Sequence, residues 1–260
     1  MSPSTIGLSA NREKRPLPNN DRDSSLILRR ALYHLRSSTV RTYPYPHFYG
    51  AGAFDETTLS EMHQFWPSAG QLKSIATTSR VSRGRYEERN IISIESLAKT
   101  LPENGAAYNF WSSIGAAMGS DEFVCELLEW LWPDIKRTRD LPETISIFPD
   151  LILTEDSVGY AIGPHTDSPN RLVTILFYVP ENEGSVDTGT SIYVPKASSA
   201  ISGMSAIHRR HDEFYNVFTA PFSPNSFFGF VVGPNSYHGV EPIKTLTTSR
   251  RQIQLSIRFK

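Results

Sequence analysis

The sequence predicts an α+β protein in which a helical N-terminal half supports a C-terminal β sandwich or barrel. In residues 24–143, apolar side chains recur at helical spacing, and capping residues and prolines separate the segments. From residue 144 to 260, apolar residues instead form short runs rich in Val, Ile, Phe and Tyr, which Pro, Gly and Asn separate. A length of 260 residues suits one such domain, because β sandwiches and barrels commonly reach about 250 residues.

The composition excludes several classes of protein. The 26 Lys and Arg residues are balanced by 27 Asp and Glu residues, so the chain lacks the positive excess that nucleic-acid binding requires. Cys125 is the only cysteine, which excludes an internal disulfide and a cysteine-rich zinc site. No apolar run approaches the ~18 residues of a membrane helix, and residues 1–17 lack the apolar core of a secretory signal. We therefore expect a cytoplasmic protein without nucleic-acid or membrane partners, and its oligomeric state stays open.

The N-terminal half is predicted to contain a tail and then helices. Residues 1–23 are polar and rich in proline, so we expect a disordered tail, followed by a single domain over residues 24–260. The first helix follows Ser24, and an extended aromatic segment covers residues 43–49, where two prolines disfavour a helix. Asp55 is suited to cap a second helix, which Pro67 ends.

Two further helices precede the β half. One spans residues 108–118 and stops at Gly119. The next is capped by Ser120 and Asp121, and its apolar residues recur at helical intervals until Pro133, where we expect it to end. The helical part therefore covers residues 24–143, and the β core covers residues 144–260.

About eight strands fit into the C-terminal half. The clearest segments are 145–153, 172–179, 191–194, 214–219, 227–232 and 252–259. Residues 196–212 form a long insertion between strands, which has the length of a lid over an enclosed cavity. Within it, Arg209 and Arg210 are candidates for holding a carboxylate or phosphate, and His208 and His211 are interpreted as loop residues rather than metal ligands.

A possible metal site comes from three residues in the β half. His165 and Asp167 are two positions apart, so they project to one side of an extended strand end, and His238 follows at the start of a late strand. Two neutral imidazoles and one carboxylate on one face of a metal leave the opposite face open. That arrangement suits a non-haem Fe(II) that must bind a cosubstrate and O₂ together. A His-x-Asp pair by itself is equally compatible with a solvated turn.

Several motifs make residues 144–260 similar to those of one enzyme family. These are His165-Thr-Asp167, the strand Arg171-Leu-Val-Thr-Ile-Leu-Phe-Tyr178, Gly189-Thr-Ser-Ile-Tyr193, Pro224-Asn-Ser-Phe-Phe-Gly-Phe230, Ser236-Tyr-His-Gly-Val-Glu-Pro242 and Arg250-Arg-Gln-Ile-Gln-Leu-Ser256. In these segments the chain resembles the 2-oxoglutarate- and Fe(II)-dependent oxygenases, especially their prolyl-hydroxylase-like branch. The resemblance implies a double-stranded β-helix, the jelly-roll or cupin-like barrel of that family.

The resemblance also implies a set of site residues. His165, Asp167 and His238 would bind Fe(II), and a basic residue after the second histidine would hold the distal carboxylate of the cosubstrate 2-oxoglutarate. Arg250 and Arg251 are both candidates; strand alternation favours Arg250, which shares its face with polar side chains rather than with the apolar set that begins at Ile253. Tyr178 would meet the same carboxylate. The sequence departs from the family at Thr188-Gly189, where a Gly-Gly pair is usual.

The function implied is oxidation of a C–H bond in a small-molecule substrate, such as an amino acid or a biosynthetic intermediate, with O₂ consumed and succinate and CO₂ released. Two alternatives stay open, namely a cupin-like metal-dependent isomerase or lyase and a non-catalytic jelly-roll binding module. A basic cluster before the β half is interpreted as a solvated surface rather than a substrate contact, because glutamates lie among its members. The cluster comprises Arg80, Arg83, Arg85 and Arg89.

Overall fold

Two antiparallel sheets, with helices outside the larger one, make up the protein. The computed structural model describes residues 21–81, 85–182, 186–196, 204 and 207–260. The α-helices are α1 (Asp21–Arg36), α2 (Glu56–Gln64), α3 (Ile94–Ala98), α4 (Ala106–Met118) and α5 (Asp121–Thr138). The strands are β1 (His47–Ala51), β2 (Lys73–Ser74), β3 (Arg89–Ser93), β4 (Ile147–Asp156), β5 (Ile162–His165), β6 (Arg171–Tyr178), β7 (Ser191–Pro195), β8 (Phe214–Thr219), β9 (Ser226–Val231), β10 (His238–Val240) and β11 (Arg250–Phe259).

The strand order defines a jelly-roll arrangement. The larger sheet has seven strands in the order β1-β9-β6-β11-β4-β3-β2, and the smaller sheet has four in the order β5-β10-β7-β8. Eight of these strands, β4 to β11, lie in the C-terminal half, as the sequence predicts. The predicted α+β class and the jelly-roll arrangement are therefore confirmed.

The long strand β11 separates the apolar layer from the polar one. Ile253, Leu255 and Ile257 are fully buried in the main core, which also contains the inward faces of α1, α4 and α5. The alternate residues of the strand, beginning with Arg250 and Gln252, point to the opposite face of the sheet and line a cavity. The predicted alternation along this strand is confirmed, and it places polar side chains between the two sheets.

The helix caps agree with the sequence, but two helix limits differ from prediction. Asp55 accepts a hydrogen bond from the Thr58 amide (2.7 Å), and Ser120 accepts one from the Phe123 amide (3.1 Å). The predicted end of α5 before Pro133 is wrong, because the helix continues to Thr138. Burial of Ile135 in the core holds that last turn, which offsets the backbone hydrogen bond that proline removes.

The first helix begins at Asp21, so the predicted tail is too long at its C-terminal end. The remainder of that segment, residues 1–20, lies outside the described residues. The sequence analysis also missed β2, β3 and α3, which are short. Among the described helices, none combines the length and apolar character needed to cross a membrane.

Candidate active site

A cavity of about 680 Å³ lies between the two sheets. Strands β4, β6 and β11 of the larger sheet form one wall, and residues of β5 and β10 in the smaller sheet form the other. Because the larger sheet turns its apolar face towards the helices, the polar face is left for the cavity. The three predicted metal ligands, Arg250, and several residues from the N-terminal half line it together.

Backbone pairing brings the three predicted ligands together. His165 at the end of β5 lies opposite His238 at the start of β10, and their ring centroids are 4.4 Å apart. Asp167 follows β5 directly. One donor atom from each of the three side chains can be chosen so that all lie within 4.8 Å of one another, and all three residues are buried. The sequence-predicted set is thus assembled at one point in the cavity.

Hydrogen bonds orient both imidazoles towards that point. Nδ1 of His165 lies 2.9 Å from the carbonyl oxygen of Gly163, and Nδ1 of His238 lies 2.9 Å from that of Ser236. A carbonyl only accepts, so each Nδ1 carries the proton and each Nε2 keeps its lone pair. Burial lowers the pKa of His165 to about 3 and also lowers that of His238, so both rings are neutral, as metal ligands must be.

The carboxylate of Asp167 is held as an anion. Arg171 donates Nη1–H to Oδ1 (2.6 Å), and the Thr174 hydroxyl donates to Oδ2 (2.7 Å). Burial acts to raise the pKa of Asp167, but the charge of Arg171 and the Thr174 hydrogen bond together hold it below its ordinary value. Two neutral nitrogens and one anionic oxygen are a donor set that fits Fe(II).

At the inner end of the cavity, two guanidinium groups share one buried carboxylate. Arg250 donates Nη1–H to Asp156 (2.6 Å) and Nε–H to the carbonyl of Thr188 (2.6 Å), while Arg89 binds the same carboxylate with two nitrogens (2.6 and 2.7 Å). The side chains of Arg250 and Asp156 are completely buried. One carboxylate neutralises only one of the two guanidiniums, so an excess positive charge stays buried here.

Four polar atoms around this charge lack a hydrogen-bond partner among the described residues. They belong to residues that all line the cavity and are at most about 1% exposed, namely Thr154 Oγ1, Tyr160 Oη, Arg250 Nη2 and Gln252 Oε1. Buried polar groups are nearly always paired, so this cluster indicates the position of a polar ligand. Three of the four atoms can donate a hydrogen bond, which matches an anionic ligand.

The predicted cosubstrate residues have different positions. Arg250 faces the cavity, whereas Arg251 lies on the other face of the sheet, where it pairs with Glu155 and Glu181. Tyr178 lies near Arg250 but does not line the cavity, and its hydroxyl donates to Thr190 Oγ1 (3.0 Å) and accepts from the Thr190 amide (3.1 Å). Thr190, which does line the cavity, is thus the contact of the Tyr178 hydroxyl.

Two members of the basic cluster of the N-terminal half line the cavity. Arg80 lies at the outer end and is exposed, in agreement with the solvated-surface interpretation. Arg89 reaches the inner end and its side chain is only 11% exposed, so that interpretation is wrong for Arg89. The reason is that β3 pairs with β4 and places Arg89 opposite Asp156. Arg85 is exposed, as expected, and Arg83 lies outside the described residues.

The insertion 196–212 reaches the metal site through one side chain. The ring of His208 lies 4.4 Å from that of His165 between centroids, and its Nδ1 is hydrogen-bonded to the hydroxyl of Tyr86. Burial lowers the pKa of His208 to about 4, and the charge of Arg85 lowers it further. His208 lies outside the three-residue cluster that could hold a metal ion. Residues 197–203 and 205–206 lie outside the described residues.

The two arginines predicted to hold a substrate anion do not line the cavity. Arg210 is exposed and pairs with Asp212, and the backbone of Arg209 binds the carbonyl of Pro164 (2.8 Å). The burial of Arg89, which the sequence analysis missed, could have been predicted from the residues that follow it. Ile91 and Ile92 form a short apolar run that begins two positions after Arg89, which is typical of a buried strand.

Comparison with known proteins identifies the fold. No family model matches the chain, and no curated protein matches it in sequence. Among solved structures, it is similar to a prolyl hydroxylase from Trichoplax adhaerens in complex with a peptide fragment of the hypoxia inducible factor oxygen degradation domain. The two share 14% identity, with a TM-score of 0.50, over 91% of this chain and 90% of that chain. This likeness shows that the two chains share a fold.

Two further structures are similar at lower scores. A prolyl-4-hydroxylase from Pseudomonas putida is 13% identical, with a TM-score of 0.48, over 90% of this chain and 98% of that chain. The non-heme alpha ketoglutarate dependent epimerase SnoN from nogalamycin biosynthesis is 13% identical, with a TM-score of 0.49, over 90% of this chain and 81% of that chain.

Proposed function

We propose that this protein is an Fe(II)- and 2-oxoglutarate-dependent oxygenase that oxidises a C–H bond of a small-molecule substrate. One observation carries the proposal. A buried His-Asp-His cluster and an incompletely neutralised arginine pair, Arg250 and Arg89, lie in the same cavity. A metal-dependent isomerase or lyase would need the first feature but not the second. A binding module would need neither.

His165, Asp167 and His238 would hold the metal. Their donor atoms converge, and the Nδ1 bonds and the contacts of Asp167 keep each side chain in place before the metal binds. Loss of such hydrogen bonds to metal-binding side chains commonly lowers metal affinity by roughly 10- to 100-fold. When bound, Fe(II) supplies the activation of O₂, of which one atom enters succinate as 2-oxoglutarate loses CO₂ and the other enters the substrate C–H bond.

The inner end of the cavity would bind the distal carboxylate of 2-oxoglutarate. Arg250 Nη2 and the Tyr160 hydroxyl are donors without partners among the described residues, and the excess charge of Arg89 and Arg250 requires an anion. Tyr178 would act indirectly in this proposal, since it fixes Thr190 at the cavity wall. The keto acid end would then point along the cavity to the metal ligands.

The walls of the cavity would exclude water and position the substrate. His208 and Tyr86 are hydrogen-bonded to each other across the region beside His165, so the insertion contributes to closing the site. The cavity volume of about 680 Å³ lies in the range of small-molecule sites. The similar enzyme from Trichoplax was solved with a peptide; a small molecule is proposed here because the metal end is covered.

The proposal is tested by measuring succinate formation from 2-oxoglutarate with added Fe(II). We expect the wild-type protein to form succinate slowly without a second substrate, and His165→Ala and His238→Ala to lose Fe(II) binding and turnover. His63→Ala is the matched control, because His63 lies on α2, beside Arg251, and not in the cavity. Succinate formation by either ligand variant at the wild-type rate would contradict the assignment of the metal site.

A further inference from the structure

We propose that the outer end of the cavity binds an oxyanion group of the primary substrate, a carboxylate or a phosphate, through Arg80, Arg171 and Arg258. This inference rests on the proposed function and specifies its substrate class. All three arginines line the cavity, together with Asp150 and Asn170. They are separate from the inner guanidiniums that face the proposed cosubstrate.

The outer end contains more positive charge than its own carboxylate can neutralise. Arg80 binds both oxygens of Asp150 (3.0 Å each), and Arg258 donates Nε–H to the same group (3.1 Å). The third cation, Arg171, is paired with Asp167, whose charge is needed at the proposed metal site. Among the described cavity residues, Asp150 is therefore the only outer carboxylate available for Arg80 and Arg258. An added anion would balance the one positive charge that Asp150 does not neutralise.

Strand pairing places two of these cations side by side. Arg171 of β6 pairs with Arg258 of β11 in the larger sheet, after an irregularity in the register between Ile257 and Arg258. Like charges at opposed positions destabilise a sheet, so such a pair is expected only where something else compensates. A bound anion between the two guanidiniums would supply that compensation.

Partial burial strengthens the electrostatic repulsion between Arg171 and Arg258, and it would equally strengthen their attraction for an anion. The side chains of Arg171 and Arg258 are only 15% and 17% exposed. Burial lowers the pKa of Arg258, and the nearby charges of Arg171 and Arg80 lower it further, which reflects how closely the three cations approach. Nε of Arg171 is buried and has no hydrogen-bond partner among the described residues, so one donor is still free for a ligand.

The position of the cluster fits a substrate rather than the cosubstrate. Arg171 contacts Asp167 directly, so an anion held there would leave the rest of a small molecule beside the metal ligands. Arg250 and Arg258 lie at opposite ends of β11, about 25 Å apart along the strand. The two anionic groups would therefore occupy opposite ends of one cavity, with the metal ligands between them.

The test uses protein loaded with Fe(II) and saturated with 2-oxoglutarate without O₂, so that the inner site is filled. Acetate, inorganic phosphate and neutral acetamide are titrated separately by calorimetry. We expect acetate or phosphate to bind and acetamide not to bind; whichever anion binds more tightly identifies the class. Arg80→Gln and Arg258→Gln should each weaken that binding by about tenfold, because each removes charged hydrogen bonds.

Arg210→Gln is the matched control, since Arg210 is also an arginine paired with an aspartate but lies exposed outside the cavity. It should leave anion binding unchanged. Binding of neither anion, or equal binding by wild type and both cavity variants, would overturn the inference. Arg80 is about one-third exposed, so its variant remains informative if Arg258→Gln fails to fold by circular dichroism. Uncoupled succinate formation is measured in parallel and tests the proposed function separately.

Discussion

Adjacent residues in one strand have opposite environments in this protein. Arg250 is completely buried and faces the cavity, whereas Arg251 packs over Trp66 and pairs with two glutamates on the helical side. Side chains alternate across a strand, so a shift of one position exchanges these environments. The chemistry proposed for the inner end therefore depends on Arg250 and not on its neighbour.

At the residue scale, Arg250→Lys tests the geometry of the proposed cosubstrate anchor. Lysine keeps the charge but lacks the planar fork that can bind Asp156, the Thr188 carbonyl and a carboxylate at once. We expect the apparent 2-oxoglutarate constant to rise by about tenfold or more, measured from succinate formation against 2-oxoglutarate concentration. Arg251→Lys is the control and should change it little. The reverse ranking would transfer the role to Arg251.

At the element scale, the turn before β7 contains Thr188-Gly189 where the enzyme family that the sequence resembles usually has Gly-Gly. Thr188 stands where the family usually has glycine, and it binds Arg250 through its backbone carbonyl, a contact that any residue can make. Gly189 is different, because a Cβ there would overlap the carbonyl oxygen of Ala220. The turn therefore requires glycine at only the second of the two positions.

This requirement predicts a large effect of Gly189→Ala. The added methyl group would push the turn away from Ala220 and disturb the Thr190–Ala220 backbone hydrogen bond (2.9 Å), at a cost of about 1–3 kcal/mol in the free energy of unfolding. Urea denaturation measures the loss. Gly70→Ala is the control, since nothing lies within 4 Å of a Cβ at that position. Equal stability of the two variants would show that the turn can move without cost.

At the scale of the whole molecule, the buried histidines of the proposed metal site make stability depend on pH, because their protonation in the folded protein is unfavourable. Burial lowers the pKa of His165 to about 3, while an unfolded histidine has a pKa of about 6.5. Between these two values the unfolded chain binds more protons than the folded one. Stability from this group is therefore fully present above pH 6.5 and is lost progressively as the pH falls towards 3.

We accordingly expect the metal-free protein to lose about 2 kcal/mol of unfolding free energy from His165 alone between pH 7 and pH 5. Urea denaturation in the presence of a chelator at the two pH values measures it, and His165→Asn should reduce the difference. Carboxylates contribute little in this window, because the pKa of Asp150 is held below its ordinary value by Arg80 despite burial. A pH-independent free energy would mean that His165 is accessible to protons in the folded protein.

Part of the site could be predicted because it depends on local pattern. His165 and Asp167 are two positions apart, and the alternation of β11 separates Arg250 from Arg251 without knowledge of any distant residue. The contacts of Tyr178 do not follow from local pattern. Alternation correctly puts Tyr178 on the inner side of β6, and its hydroxyl is hydrogen-bonded to Thr190 of a neighbouring segment, which the sequence alone does not place.

The sequence by itself determined the fold class and the helix caps at Asp55 and Ser120, because these follow from spacing along the chain, and its resemblance to one enzyme family indicated the three candidate metal ligands. Only the tertiary structure decided that Arg89 joins Asp156 and Arg250, and that Arg80 joins Arg171 and Arg258. The first grouping depends on β3 pairing with β4, 67 residues apart at Arg89 and Asp156. Strands pair through backbone hydrogen bonds that nearly every residue can make, so spacing within a segment does not identify a partner so distant in the chain.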